Sequence, residues 1–173
     1  MRRSWAVIIV LLTLLFTAGA KLWPTDHADN RRSGFYPSGT LFRQLTRAWG
    51  RSLDGAVYGS PIAMGGYVVV ATENNSVYKI NATTGTVRWS RHLRAPAPTS
   101  RLACPGNISP SGITGSPAYD SVTNRIFVVT NSVNARFGAH HEIFALNATN
   151  GTTTFFTWSD GRLGIPQPFV DHR

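Results

Sequence analysis

Apolar and polar positions along this chain alternate over short stretches, and beyond the N-terminus no window holds a sustained helical period. Tyr67-Val68-Val69-Val70-Ala71 is a β-branched run, Glu73-Asn74-Asn75-Ser76 supplies turn chemistry, and Val77-Tyr78-Lys79-Ile80 resumes a strand of mixed polarity. That order predicts a hairpin. Asn81-Ala82-Thr83-Thr84-Gly85 then forms a second turn, where Asn bonds its own downstream backbone and Gly accepts positive φ, and Val87-Arg88-Trp89 leaves it as the next strand. The same succession returns later: a strand over 125–130, another over 142–146, a turn over 147–151 and a strand over 153–158.

The return is an internal repeat. Residues 76–86 are echoed by 142–152 at an offset of 66, and Gly59-Ser60-Pro61 is echoed by Gly115-Ser116-Pro117 at an offset of 56. Both landmarks recur in the same order, so the duplicated unit is several strands long. The difference between the offsets places about ten extra residues in the second unit, at 131–141. Short antiparallel strands with a recurring turn are the pattern of radially repeated sheets.

The turn carries a resemblance. The spacing Ala-x-Asp-x-x-Thr-Gly-x-x-x-Trp marks the blades of quinoprotein-type propellers, whose repeats are named after pyrroloquinoline quinone (PQQ). The first copy resembles it through Asn81, Thr84, Gly85 and Trp89, with Lys79 in the Ala slot; the second keeps Ala145, Asn147 and Gly151, with Asn150 in the Thr slot and Phe155 in the Trp slot. The resemblance covers roughly 44–173 and implies an all-β partial propeller of four-stranded antiparallel blades, with two units and a third incomplete one starting near Gly164. It also implies that Trp89 and Phe155 are structural ties packed on the turn of a neighbouring blade. Family members close a ring of about eight blades, within the usual 4 to 8, so two units leave edges and faces for self-assembly or for missing C-terminal blades.

The first twenty residues differ from the rest. A basic start at Arg2 and Arg3, an apolar stretch over 6–16 and the small residues Ala18-Gly19-Ala20 have the three-part layout of a secretory signal peptide, with Lys21 as the first mature residue. The rival reading is a retained membrane anchor, and under either reading an N-terminal helix of these residues precedes the propeller, but the run is shorter than the ~20 residues of a spanning helix. Either reading places the body of the protein outside the cytoplasm: secreted, periplasmic or cell-surface. The organisation is thus a signal or anchor over 1–20, a turn-rich lead-in over 21–43 and repeats over 44–173.

Charge adds little. A net of +9 invites an anionic partner, but the basic residues are scattered, and Arg88, Arg91, His92 and Arg94 read as a solvated strand edge. No nucleic-acid partner is expected; a protein or cell-envelope component is. The Pro- and Gly-rich loop around 95–110 is the stretch best suited to carry function.

Chemical candidates are few. Cys104 is the single cysteine, so no intrachain disulfide forms, and a partner elsewhere, an intermolecular bridge or a free thiol remain. His140 and Glu142 share a strand face while His141 does not, and two side chains fall short of the three or four ligands of a metal site. The expectation there is an exposed polar stretch without metal. Sequons at Asn74, Asn81, Asn107, Asn147 and Asn150 include three that turn geometry explains.

Quinoprotein dehydrogenases of the resembling family hold PQQ and Ca²⁺ with carboxylate and amide oxygens and use a carboxylate base. Asp54, Glu73, Asp120, Glu142, Asp160 and Asp171 fall in no such motif, so catalytic and cofactor-binding residues stay unassigned and no cofactor is expected. The favoured reading is an exported, non-catalytic repeat protein or fragment acting as a binding or scaffold module. The alternative is the N-terminal part of a PQQ-dependent alcohol or sugar dehydrogenase, for which PQQ and Ca would be needed.

Overall fold

In the computed structural model, residues 22–35, 46–102, 104, 106–134 and 138–159 are described; the signal or anchor segment and the incomplete third unit lie outside them. The described residues are all-β apart from a 3₁₀ turn at Thr99–Arg101. They form two four-stranded antiparallel sheets, each in simple meander order, the architecture of propeller blades. The first blade holds β1 (Ile62–Met64), β2 (Tyr67–Ala71), β3 (Ser76–Asn81) and β4 (Val87–His92); the second holds β5 (Ala118–Asp120), β6 (Arg125–Asn134), β7 (Gly138–Asn147) and β8 (Thr153–Ser159).

Register follows the repeat. Val69 faces Lys79 across β2 and β3, and Phe127 faces Ala145 across β6 and β7. Each blade then slips by one residue at the equivalent place, between Lys79 and Ile80 and between Ala145 and Leu146, which bends the outer hairpin. The extra residues of the second unit lengthen one hairpin: β6 and β7 stay paired through Asn131↔His141 and Ser132↔His140 to Asn134↔Gly138.

The core lies between the sheets. Ile62, Met64, Val69, Ala71 and Val77 from the first blade meet Ile126, Val128, Phe144 and Leu146 from the second, with Leu93 and Ile113 from the connection and Trp89 and Tyr119 against the margin. Burying aliphatic side chains of this size contributes roughly 1.5–3 kcal/mol each, so the facing sheets hold each other. Close approach is needed where they converge. A Cβ on Gly59 would sit 2.5 Å from the Gly115 carbonyl oxygen, and the Ser60 amide donates to Ser116 Oγ at 2.8 Å. The two Gly-Ser-Pro landmarks thus abut. The lead-in reaches both sheets: Trp23 bridges to Ala63, and the Tyr119 amide donates to the Pro24 carbonyl.

Candidate functional site

The repeated turns build the first candidate. In each, a six-residue loop closes by the same bonds: Asn81 N–H to Thr86 O and Gly85 N–H to Asn81 O in the first, Asn147 N–H to Thr152 O and Gly151 N–H to Asn147 O in the second. Asn81 Oδ1 also accepts from the amides of Thr83 and Thr84, and Asn147 Oδ1 from that of Thr149. Thr84 and Asn150 occupy one slot with one task, since each offers a side-chain oxygen to the residue two positions on, Thr86 or Thr152. Gly85 and Gly151 have φ of +70° and +75°.

Onto each turn a preceding segment docks. Trp89 Nε1 donates to Ala148 O at 3.3 Å, Arg91 Nε donates to Gly151 O at 3.0 Å, and the indole covers Gly151 so closely that a Cβ there would lie 2.7 Å from it. Trp49 and Arg51 treat the first turn identically: Nε1 to Ala82 O at 2.8 Å, Nε to Gly85 O at 3.1 Å, and 2.8 Å from a Gly85 Cβ. Glycine is therefore required twice over, by φ and by the indole. Sequence reasoning overlooked Trp49-x-Arg51-x-Leu53, although it recurs as Trp89-x-Arg91-x-Leu93 forty residues later. Phe155, half-buried on β8, pairs across from Ala145.

Lys79 strengthens the second turn alone. Its ammonium donates to Ala148 O at 2.8 Å and stands 4.3 Å from the centre of the Tyr67 ring. Burial, with Arg88 nearby, pulls its pKa below that of a solvated lysine. The repeat puts Ala145 in this slot on the second blade.

Beyond each clamp lies a polar contact. Asp54 accepts from Thr72 Oγ1 (2.9 Å), Asn74 Nδ2 (2.9 Å) and Ser76 Oγ (2.6 Å). Burial works to raise its pKa, but the hydrogen bonds of Ser76, Asn74, Thr72 and Tyr78 outweigh it and hold the carboxyl below the usual range. Tyr78 is pushed up by burial and by the Asp54 charge. The corresponding Arg94 sets its Nε 3.3 Å from one oxygen of Glu142 and 3.5 Å from the other. Glu142 is 1% exposed, and His140 Nε2 lies 3.7 Å from its Oε1.

These contacts correct one expectation. His140 and Glu142 do share a face, but both are buried and not an exposed polar stretch; only His141 is exposed. Arg88, Arg91, His92 and Arg94 are exposed, and three of them also make contacts: Arg91 holds Gly151, His92 Nδ1 meets Ser76 Oγ at 3.2 Å, and Arg94 holds Glu142.

A second candidate is a cavity of about 220 Å³ walled by Asp54, Tyr58, Glu73 and Asn74 and by Ile108 to Pro110 of the long loop. Glu73 is 2% exposed, and its Oε2 accepts from the Gly112 amide and Thr114 Oγ1. Cys104 is exposed in the same loop.

Among the described residues the carboxylates do not form a donor set for a quinone and its metal. Asp54 accepts from hydroxyls and an amide, Glu73 accepts through Oε2 while its buried Oε1 has no partner, Asp120 caps its own turn through Val122 and Thr123, and Glu142 is paired with Arg94. Among the described residues no three His, Cys, Asp or Glu side chains converge.

A family model described as outer membrane protein assembly factor BamB matches residues 15–170. No curated protein sequence matches. Among solved structures, BamB from Moraxella catarrhalis is 20% identical at a TM-score of 0.43, over 64% of this chain and 27% of that one. The quinohemoprotein alcohol dehydrogenase from Comamonas testosteroni is 17% identical at 0.41, over 80% and 27%. That from Pseudomonas putida HK5 is 22% identical at 0.42, over 57% and 12%. The chain thus spans 12% to 27% of the length of these structures.

Proposed function

Because the chain belongs to the outer membrane protein assembly factor BamB family, we propose that it is an exported, non-catalytic repeat module that presents blade surfaces and loops to other proteins of the cell envelope. Residues 1–20 direct export, 21–43 lead into the first blade and 44–173 form the repeats. Trp89 is a tie between blades, and Phe155 stands in the same slot for a neighbour. The observation that carries the reading is the fate of the chemical side chains. Trp49, Arg51, Trp89, Arg91, Lys79 and Arg94 all reach a neighbouring turn or blade, and the buried carboxylates are committed to amides, hydroxyls or a guanidinium. Such a set, in which only Glu73 Oε1 lacks a hydrogen-bond or ion-pair partner among these carboxylates, supports shape and docking more than proton transfer, which needs a carboxylate facing substrate.

The test uses the protein from its native host. A photocrosslinker on the exposed Cys104 is expected to join it to a protein of the envelope fraction, and titration with PQQ and Ca²⁺ is expected to give no saturable change in absorbance. Saturable PQQ binding with alcohol-dependent dye reduction would overturn the proposal in favour of the dehydrogenase alternative.

A further inference from the structure

We infer that the residue five positions after each clamp tryptophan is an address, Asp54 for the first turn and Arg94 for the second, which keeps each Trp-x-Arg segment on its own turn. The two segments grip their turns alike. Trp49-Gly50-Arg51-Ser52-Leu53 and Trp89-Ser90-Arg91-His92-Leu93 present the same indole and guanidinium at the same spacing, and each turn offers the same two acceptors, a carbonyl at Ala82 or Ala148 and one at Gly85 or Gly151. Nothing in that grip tells one turn from the other.

The next contact does. Asp54 and Arg94 are opposite in charge, and the groups awaiting them at positions 76 and 142, which the 66-residue repeat makes equivalent, differ to match: a neutral hydroxyl donor and a carboxylate. Ser76, with Thr72 and Asn74, supplies donors to a carboxylate. Glu142 supplies a carboxylate, 1% exposed, to a guanidinium. Exchanging the strands would bring Asp54 against Glu142, two carboxylates where little water reaches, and would leave Asn74 Nδ2 facing a cation instead of its acceptor. Both mismatches are penalised: like charges repel, and a buried carboxylate without its cation is costly. The surface of the first turn therefore suits a strand ending in an acid, and that of the second a strand ending in a base. The rule applies equally to a strand from a second copy of the chain.

The test is a charge-reversal set in the full chain. Arg94→Glu is expected to lower the folding equilibrium constant about tenfold or more, and Glu142→Arg likewise. The combination R94E/E142R is expected to recover to within about threefold of the parent, and Asp54→Arg is expected to be rescued by Ser76→Glu. Should the reversals fail to fold, the neutral pair R94Q and E142Q is expected to show a coupling of about threefold or more in a double-mutant cycle. A merely structural role for either side chain gives no rescue. Double variants no more stable than the product of the single effects, or additive neutral variants, would overturn the address.

Discussion

The turns at 81–86 and 147–152 have nearly one sequence and close through the same backbone bonds, yet Ala82 is exposed whereas Ala148 is fully buried. The first turn is covered by Trp49 and Arg51, from a segment that pairs with neither sheet. The second is covered by Trp89 and Arg91, from β4 and thus anchored in a whole blade, and by Lys79 besides. Local sequence therefore sets the shape of the turn, and the rigidity of what docks on it sets how deeply it is buried. The same contrast holds for the polar contacts beyond: Asp54 is exposed among hydroxyls and an amide, while Glu142 is buried and meets the guanidinium of the exposed Arg94.

Substitutions at the glycines should separate the two regions most. Gly151→Ala places a methyl 2.7 Å from Trp89 at a positive φ, and because β4 cannot retreat alone the expected loss is ~3 kcal/mol or more. Gly85→Ala meets an indole 2.8 Å away on a segment with less to hold it, so the loss should be near the conformational cost of about 1–2 kcal/mol. Denaturant midpoints of the two variants would measure the gap; equal midpoints would mean that the anchoring of β4 is irrelevant.

Removing the indoles probes the same difference from the other side. Trp89→Ala should cost about 3 kcal/mol, the low end for a large aromatic because the ring is half-buried. Trp49→Ala should cost roughly half as much, read again from denaturant unfolding followed by circular dichroism.

The acid limb offers a smaller effect. Since the folded pKa of Asp54 is lowered, its contribution is fully present above the ordinary Asp value of about 3.9 and is lost as pH falls through the folded value. The parent should therefore be more stable than Asp54→Asn at pH 6, with the difference shrinking toward pH 3 in thermal melts. A constant difference across that range would show that the carboxylate charge has no part in the contact. Smallest of all, Asn150→Thr restores the oxygen the first turn uses and should stay within ~0.5 kcal/mol of the parent.

Much of this was legible because it is local. Asn81, Gly85, Asn147 and Gly151 marked the turns, the β-branched run over 67–71 marked a strand, and the difference in repeat offsets located the longer hairpin of β6 and β7. The clamps were harder to read. Trp89 was visible at a fixed distance after its own turn, but the turn it grips lies 62 residues on, whereas Trp49 grips one 36 residues on. The long loop and the insertion fall only between Trp89 and its target, so no single period relates both tryptophans to their turns. The burial of Glu142 was hidden for a similar reason. Its partner Arg94 comes from the other blade, and a Glu after two histidines reads as polar surface until that cation is in place.

Amide hydrogen exchange at the two turns tests the central claim directly, because Asn81 and Gly85 make the same backbone bonds as Asn147 and Gly151 and differ only in the layer docked above them. The account predicts slower exchange at Asn147 and Gly151 than at Asn81 and Gly85, and predicts that Trp89→Ala brings the second turn to the rate of the first while leaving the first unchanged. Equal protection in the parent chain, or a second turn that keeps its protection without Trp89, would contradict it.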